Sequence, residues 1–334
     1  MIGYTADGVR VEHPEVRGQR ADVVERGGHS RPSEIRPDTG QAPEREPCNV
    51  ELQKTMAPED AQSMPIPDFE RTAIAVAAKL GIVSDAPIVL AEGMSTVVHL
   101  RPSPIVGRVT RLTHLVRPVD GVTGTIALAR ALPGLVVPPS DRIDPGPHVA
   151  DGRHVTFWAY VEAVPATPAE AGSSLRAFHQ AARRYGGKLR SFDPRPEALR
   201  IADMVGGQAG AVLQAAAASI PLPQLAEQPV HGDAHLGNAL AGGRWLDLDE
   251  ACLGPPEWDL ACVRHCSLFF GERTRETCDA LEAYGSHDEQ AVAALDPLVV
   301  LFTAAWGTMA TFVGKPIGPR TQQRLNWLRE RYAR

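Results

Sequence analysis

Three polar residues stand at fixed intervals between Val230 and Asp259. Asp233 follows His231-Gly232, Asn238 comes five residues later, and Asp247 nine residues after that. From Ala239 to Leu246 the chain reads Ala-Leu-Ala, then Gly242-Gly243, then Arg-Trp-Leu. An apolar run, a Gly-Gly turn and a second apolar run predict a β-hairpin. A hairpin folds its ends together, so Asn238 and Asp247 are expected to converge. Two hard oxygen ligands without a Cys or His cage suit Mg²⁺, which takes its other ligands from water and phosphates. Asp233, in a loop nearby, is placed to receive or orient a hydroxyl proton. One carboxylate at the nucleophile, with an Asn and an Asp on the metal, is a layout for phosphoryl transfer.

The segment continues as Leu246-Asp247-Leu248-Asp249 and then Pro256-Glu257-Trp258-Asp259-Leu260-Ala261. With His231-Gly232-Asp233-Ala234-His235-Leu236-Gly237-Asn238 ahead of it, this order resembles the catalytic core of the aminoglycoside phosphotransferase and choline kinase-like family, relatives of the protein kinases. The match runs over about thirty residues and is far more specific than a lone glycine motif. The resemblance implies an α+β, protein-kinase-like bilobal fold: a small antiparallel-sheet N-lobe and a larger, mostly helical C-lobe. It also implies that the aspartate at 259 buttresses the catalytic loop.

The elements that must position this core can be read outward from it. Within the first sixty residues there are 20 charged residues, six prolines and one aromatic, Tyr4. Such a segment cannot bury enough surface to offset its ordering entropy, so residues 1–66 are expected to be a disordered tail. Order is expected from Asp68, an N-cap candidate, through a helix stopped near Gly81. Three short β-branched runs follow, Ile88–Ala91, Thr96–Leu100 and Ile105–Thr110, and predict an antiparallel meander. Thr167-Pro168-Ala169-Glu170 is a capping box with Pro at the first helical position. Further helices are expected over about Thr123–Leu132, Pro196–Ser219, Leu260–Phe270 and Pro297–Gly314, with a last one carrying Leu325, Leu328 and Tyr332 inward. Its arginines, Arg320, Arg324, Arg329 and Arg331, are expected to form a solvated face. His179 is expected to be structural.

Mapped on the family, residues 67–161 are the N-lobe and 162–334 the C-lobe. The resemblance assigns the first N-lobe turn, with Gly93 and Ser95, to the ATP phosphates. It places Arg108 where a kinase keeps the phosphate-holding lysine; Arg keeps the charge but binds as a planar fork. It places the adenine-contacting hinge at Trp158 to Glu162, with Trp158, Tyr160 and Val161 against the nucleotide. The helix that normally offers a glutamate to the lysine has Thr125 at the matching turn, and Asp120 lies just upstream of the expected helix.

Composition narrows the rest. Net charge is −6, which gives no electrostatic case for nucleic acid or an anionic membrane. The five cysteines form no C-x-x-C pair, and Cys262 and Cys266 read as core packing. No apolar run opens the chain, so a reduced, cytoplasmic setting is expected. Pro297–Gly314 falls short of the roughly 20 residues of a membrane span and reads as a core helix. The expectation is therefore ATP- or GTP-dependent phosphorylation of a hydroxyl on a small molecule. Asp233 is the base, Asn238 and Asp247 hold Mg²⁺, and Arg108 steadies the phosphates. Glu257, Glu282, Asp288 and Glu289 are acids that could attract a cationic acceptor. The alternative is a pseudokinase, a nucleotide-binding or interaction module without transfer, motivated by Arg108 and Thr125.

Overall fold

The computed structural model describes residues 68–117 and 119–333, so the expected N-terminal tail lies outside the described residues. Helix α1 (Phe69–Lys79) starts where Asp68 accepts a hydrogen bond from the Arg71 backbone N–H, and Gly81, at φ 88°, follows its end. The meander follows as β1 (Ile88–Glu92), β2 (Ser95–His99) and β3 (Ile105–Thr110). Helix α2 (Val119–Ala131) intervenes before β4 (His148–Ala150) and β5 (Arg153–Ala159). The five strands form one sheet in the order β1-β2-β3-β5-β4, with antiparallel neighbours throughout.

Alternation along β3 explains how the sheet serves two masters. Ile105 and Val109, with Val98, Val155 and Phe157, pack on α1 in a small core of their own. Gly107 lies on the same face, and a Cβ there would come 3.1 Å from the Cβ of Ala73, so the glycine allows α1 close approach. Val106, Arg108 and Thr110 therefore point to the opposite face. This places Arg108 beneath the sheet, facing the rest of the chain.

The remainder is mostly helical: α3 (Pro168–Ala182), α4 (Pro194–Val205), α5 (Gly207–Ser219), α6 (Pro256–Phe270), α7 (Thr274–Tyr284), α8 (Glu289–Thr308) and α9 (Pro319–Tyr332). Short strands β6 (Arg190–Ser191), β7 (Gln228–Val230) and β10 (Cys252–Gly254) make a second sheet, and β8 (Ala239–Leu240) with β9 (Arg244–Trp245) makes the expected hairpin. A larger core joins these helices and takes in Leu128 and Ala129 from α2 and Leu132 just after it. Helix α2 thus anchors to the helical core and not to the sheet core.

Four expectations need correction. The helix over 196–219 is two helices, broken where Gly206 and Gly207 both adopt positive φ, 62° and 57°. The apolar helix starts at Glu289, eight residues before Pro297, because Asp288 caps it through the N–H groups of Gln290 and Ala291. Helix α2 starts at Val119, so Asp120 belongs to its first turn. Of the four α9 arginines, Arg320 and Arg324 lie over the Phe270 ring instead of facing solvent alone, and Arg320 pairs with Glu272. Residues Glu289–Val313 are, among the described residues, the one stretch long and apolar enough to cross a membrane; Leu295, Leu298, Leu301 and Ala305 bury it in the helical core.

His265 of α6 is buried beneath α9, where its Nε2 accepts a hydrogen bond from Arg324 Nε at 3.1 Å. Burial, with Arg324 and Arg320 beside it, pushes the imidazole down to about 3. The folded chain therefore refuses a proton that the unfolded chain accepts below about pH 6.5. Stability is expected to fall as pH drops from there toward the folded value. His265→Gln should flatten part of that acid slope in urea titrations across pH 4 to 7; an unchanged slope would refute the assignment.

Candidate active site

The site is built on a loop that its own backbone cannot hold. Strand β7 pairs with β10, Val230 opposite Cys252, and delivers His231 to the loop. Gly232 follows with φ 86°, and a Cβ there would lie 2.0 Å from the Glu250 carbonyl oxygen. Only glycine fits this position. Asp259, fully buried in the first turn of α6, accepts hydrogen bonds from the backbone N–H of His231 and of Gly232, both at 2.8 Å. Trp258 Nε1 donates to the Gly232 carbonyl at 2.7 Å. His179 of α3 donates through Nε2 to Asp259 at 2.9 Å and accepts through Nδ1 from the Tyr284 hydroxyl of α7, also at 2.9 Å. Three helices thus fix one loop, and His179 is structural as expected.

Asp233 leaves that loop with its carboxylate partly exposed, 3.8 Å from His235 Nε2. Its carbonyl accepts from Asn238 Nδ2 at 2.9 Å. Asn238 is fully buried, yet its Oδ1 has no hydrogen-bond partner. A buried oxygen left unpaired costs about 1–3 kcal/mol unless a ligand takes it. The hairpin then does what its pattern predicts. Ala239 pairs with Trp245 and Leu240 with Arg244 across Gly242 and Gly243, both at positive φ. The Leu246 N–H donates to the Asn238 carbonyl at 2.8 Å, which brings Asp247 back beside Asn238.

Asp247 itself adopts the left-handed region, φ 59° and ψ 64°. A non-glycine residue there carries strain that surrounding contacts must hold, and such strain concentrates at functional sites. Arg108 provides one of those contacts: its Nη1 donates to Asp247 and its Nη2 to Asp249, each at 2.8 Å. Burial alone would raise the Asp247 carboxyl, but the Arg108 guanidinium, with His231 and His235 nearby, holds it below the usual range. Burial raises Asp249 against the same guanidinium. Asn238 Oδ1 and the ionised Asp247 form a hard-oxygen donor pair, and this pair fits Mg²⁺.

The rest of the expected nucleotide set divides. Gly93 closes the β1–β2 turn through its N–H to Ser95 O at 2.9 Å. Ser95 is buried with its hydroxyl unpartnered, a second unmet polar group near the sheet. Trp158 is half-buried, its Nε1 donating to Thr156 Oγ1. Tyr160 does not stand alone in the hinge: its ring stacks on His99, centroids 3.7 Å apart and planes within 7°. Val161 follows, half-buried. Of the acids considered for a cationic acceptor, Asp288 caps α8 and Glu289 pairs with Arg264 and His287. Glu257, half-buried in the first turn of α6, and the exposed Glu282 take no part in those contacts.

Sequence reasoning missed the charge network behind Asp247. Arg117 clasps Glu197 with two bonds of 2.7 Å, pairs with Glu250 and lies over the Trp306 ring. Arg190 bonds Glu250 at 2.9 Å. Burial pushes Glu250 up to about 7 against the pull of both arginines. The ion-paired partners lie 60 to 133 residues apart, and no local pattern marks them.

The phosphotransferase enzyme family model, APH, matches residues 127–298, just over half of the chain. No curated protein matches the chain in sequence. Among solved structures, choline kinase LicA from Streptococcus pneumoniae is similar at TM-score 0.57 and 15% identity, over 78% of this chain and 98% of that one. A microcompartment-associated aminopropanol kinase gives 0.52 and 15%, over 76% and 94%. A spectinomycin phosphotransferase in complex with ADP and spectinomycin gives 0.50 and 13%, over 78% and 93%. At these identities the likeness is one of fold, and it establishes the kinase-like α+β architecture.

Asp259 carries the loop's geometry through charge-assisted bonds, so losing the charge has a measurable cost. Asp259→Asn keeps the volume but leaves a donor facing backbone N–H groups. It is expected to lower stability by about 3 kcal/mol, read as a reduced denaturant midpoint at unchanged slope. A shift under about 0.5 kcal/mol would mean that the loop is held elsewhere.

Proposed function

We propose a reaction for this chain from one premise: it belongs to the phosphotransferase enzyme family. A small-molecule phosphotransferase of this fold transfers the γ-phosphate of ATP, or of GTP, to a hydroxyl group. The observation that carries the finer reading is Asn238, fully buried, its amide N–H committed to Asp233 and its Oδ1 left for a ligand beside Asp247. The residues 67–161 act as the nucleotide-clamping lobe and 162–334 as the lobe that carries the metal site and acceptor pocket.

Asn238 and Asp247 would hold Mg²⁺, which neutralises charge on the nucleotide phosphates. Asp233 orients the acceptor hydroxyl toward the γ-phosphorus and receives its proton. Its fixed loop matters because such catalysis is mostly positioning and electrostatics. Arg108 has five N–H donors, so it can hold Asp247 and Asp249 and still donate to a phosphate oxygen. The Gly93 turn and the Ser95 hydroxyl close over the phosphates, and the base lies against the hinge at Trp158, Tyr160 and Val161. Amine-bearing alcohols are the first acceptors to try, because choline and aminopropanol kinases share the fold and Glu257 offers a carboxylate next to the loop's anchor.

Asp233→Asn is expected to cut turnover by at least about a hundredfold while leaving nucleotide binding intact. ADP release measures the first, and the Mg-ATP shift in melting temperature the second. Full turnover in this variant would end the assignment of Asp233. Asp247→Asn should abolish the Mg-dependent part of the melting shift; a shift that survives undiminished would remove Asp247 from the metal.

A further inference from the structure

A cavity of about 360 Å³ lies behind Arg108, enclosed by the lower face of β3 and β5, the start of α2, residues 188–191 and α4. Arg108 and Asp249 form its wall toward the loop that carries Asp247. The hinge residues, the Gly93 turn and Asp233 are not among its described lining residues. It borders the transfer site at Arg108 and is otherwise lined by residues to which the transfer reaction assigns no contact.

Its lining is unbalanced in hydrogen-bonding capacity. The acids in the wall are occupied: Glu197 accepts from Arg117 and from Trp306 Nε1, and Asp249 accepts from Arg108. The donors are not. Thr113 is 8% exposed, and its buried Oγ1 has no partner. Arg190 Nε is buried and also unpartnered. Lys188 and Arg200 line the exposed side of the cavity, and neither has an acid partner among the described residues. Buried donors left unmet are costly, and two cations at the mouth add long-range attraction for negative charge. A group with acceptor oxygens can take up these donors; a cation or an apolar group cannot.

We propose that this cavity binds a small anion, a metabolite carrying a phosphate or carboxylate group, held by Lys188, Arg190 and Arg200 with the Thr113 hydroxyl donating from the buried end. The volume accommodates such a molecule at the lower end of the range usual for small-molecule pockets. The proposal rests on the cavity's own side chains and stands whether or not the transfer reaction is as assigned.

Isothermal titration of the full chain at constant ionic strength tests it, with inorganic phosphate as one probe and malonate as the other. One equivalent of at least one probe is expected to bind with a dissociation constant below about 1 mM; the tighter probe identifies the anionic group. Thr113→Val, near-isosteric, should weaken that binding about fivefold through one lost hydrogen bond. The double variant Lys188→Ala/Arg200→Ala changes exposed side chains and should weaken it more than about tenfold, with an unchanged melting temperature in probe-free buffer. No binding of either probe at 10-fold that concentration overturns the proposal. Equal affinity in the double variant also overturns it, because the anion then sits elsewhere, as in the phosphate region of the transfer site.

Discussion

A carboxylate with no solvent contact must be fully hydrogen-bonded, and Asp259 is the point from which this architecture is determined. Its oxygens face two consecutive backbone N–H groups of the His231-Gly232 turn and the imidazole of His179. No side chain other than a short acid can do this in that space. The constraint runs both ways. The charge fixes the turn, and the turn, with a glycine that no other residue could replace, satisfies the charge. Helix α6 begins at Pro256 so that Asp259 falls in its first turn, where its dipole favours a negative group. Everything downstream of the turn, including the direction in which Asp233 leaves it, follows from this local agreement.

The second tie is electrostatic and crosses between the sheet and the helical part. Arg108 descends from β3, and Asp247 and Asp249 rise to it, two carboxylates flanking one guanidinium. Their pKa directions are opposite: burial raises both, Arg108 with the nearby histidines prevails at Asp247, and at Asp249 burial and the Asp247 charge prevail over the same guanidinium. Behind them Arg117 and Arg190 hold Glu197 and Glu250. Four acids and three arginines thus share one partly buried region. Coulombic attraction in such surroundings offsets desolvation only when geometry is good, and the bidentate Arg117–Glu197 pair meets that condition. Arg108 does not draw on α2 at Thr125 for a carboxylate: the loop after β9 supplies two.

Much of this was legible in the sequence because it is local. The hairpin is written in Gly242-Gly243 and its apolar flanks, the start of α3 in Thr167 and Glu170, and the strands in short β-branched runs. The convergence of Asn238 and Asp247 is written in their spacing around that hairpin. What was not legible is either a backbone break or a contact between distant residues. Gly206-Gly207 divides a stretch that is otherwise helical in composition, and a glycine pair inside an alanine-rich run gives only a weak signal against a helix. Pro297 hid the true start of α8, since proline there falls inside a helix whose cap is Asp288. The Tyr160–His99 stack joins two strands' ends sixty-one residues apart, and nothing in either neighbourhood announces the other. Arg320 and Arg324 read as a solvated face because periodicity reports direction, not the aromatic ring that meets them.

The same distinction bears on how the site acquires its shape. Asp247 sits at positive φ, a conformation that disfavours its own side chain. Aspartate tolerates that region better than most residues, but tolerance does not select it. Selection comes from both sides of the residue. On one side, the Asn238–Leu246 backbone bond closes the hairpin. On the other, the turn Leu248–Glu250 runs on into β10, which pairs with β7 and so with the strand that carries His231. The strand that delivers the candidate base and the strand that follows the candidate metal ligand are therefore neighbours in one ladder, and His231 Nε2 donates to the Leu246 carbonyl at 2.7 Å, tying the loop to the residue before Asp247. Asp233 and Asp247 are held at a fixed relation because the backbone segments that bear them are bonded to each other. A site built this way needs no ligand to bring its carboxylates together; it needs one only to satisfy the oxygen of Asn238 that the protein leaves unpaired.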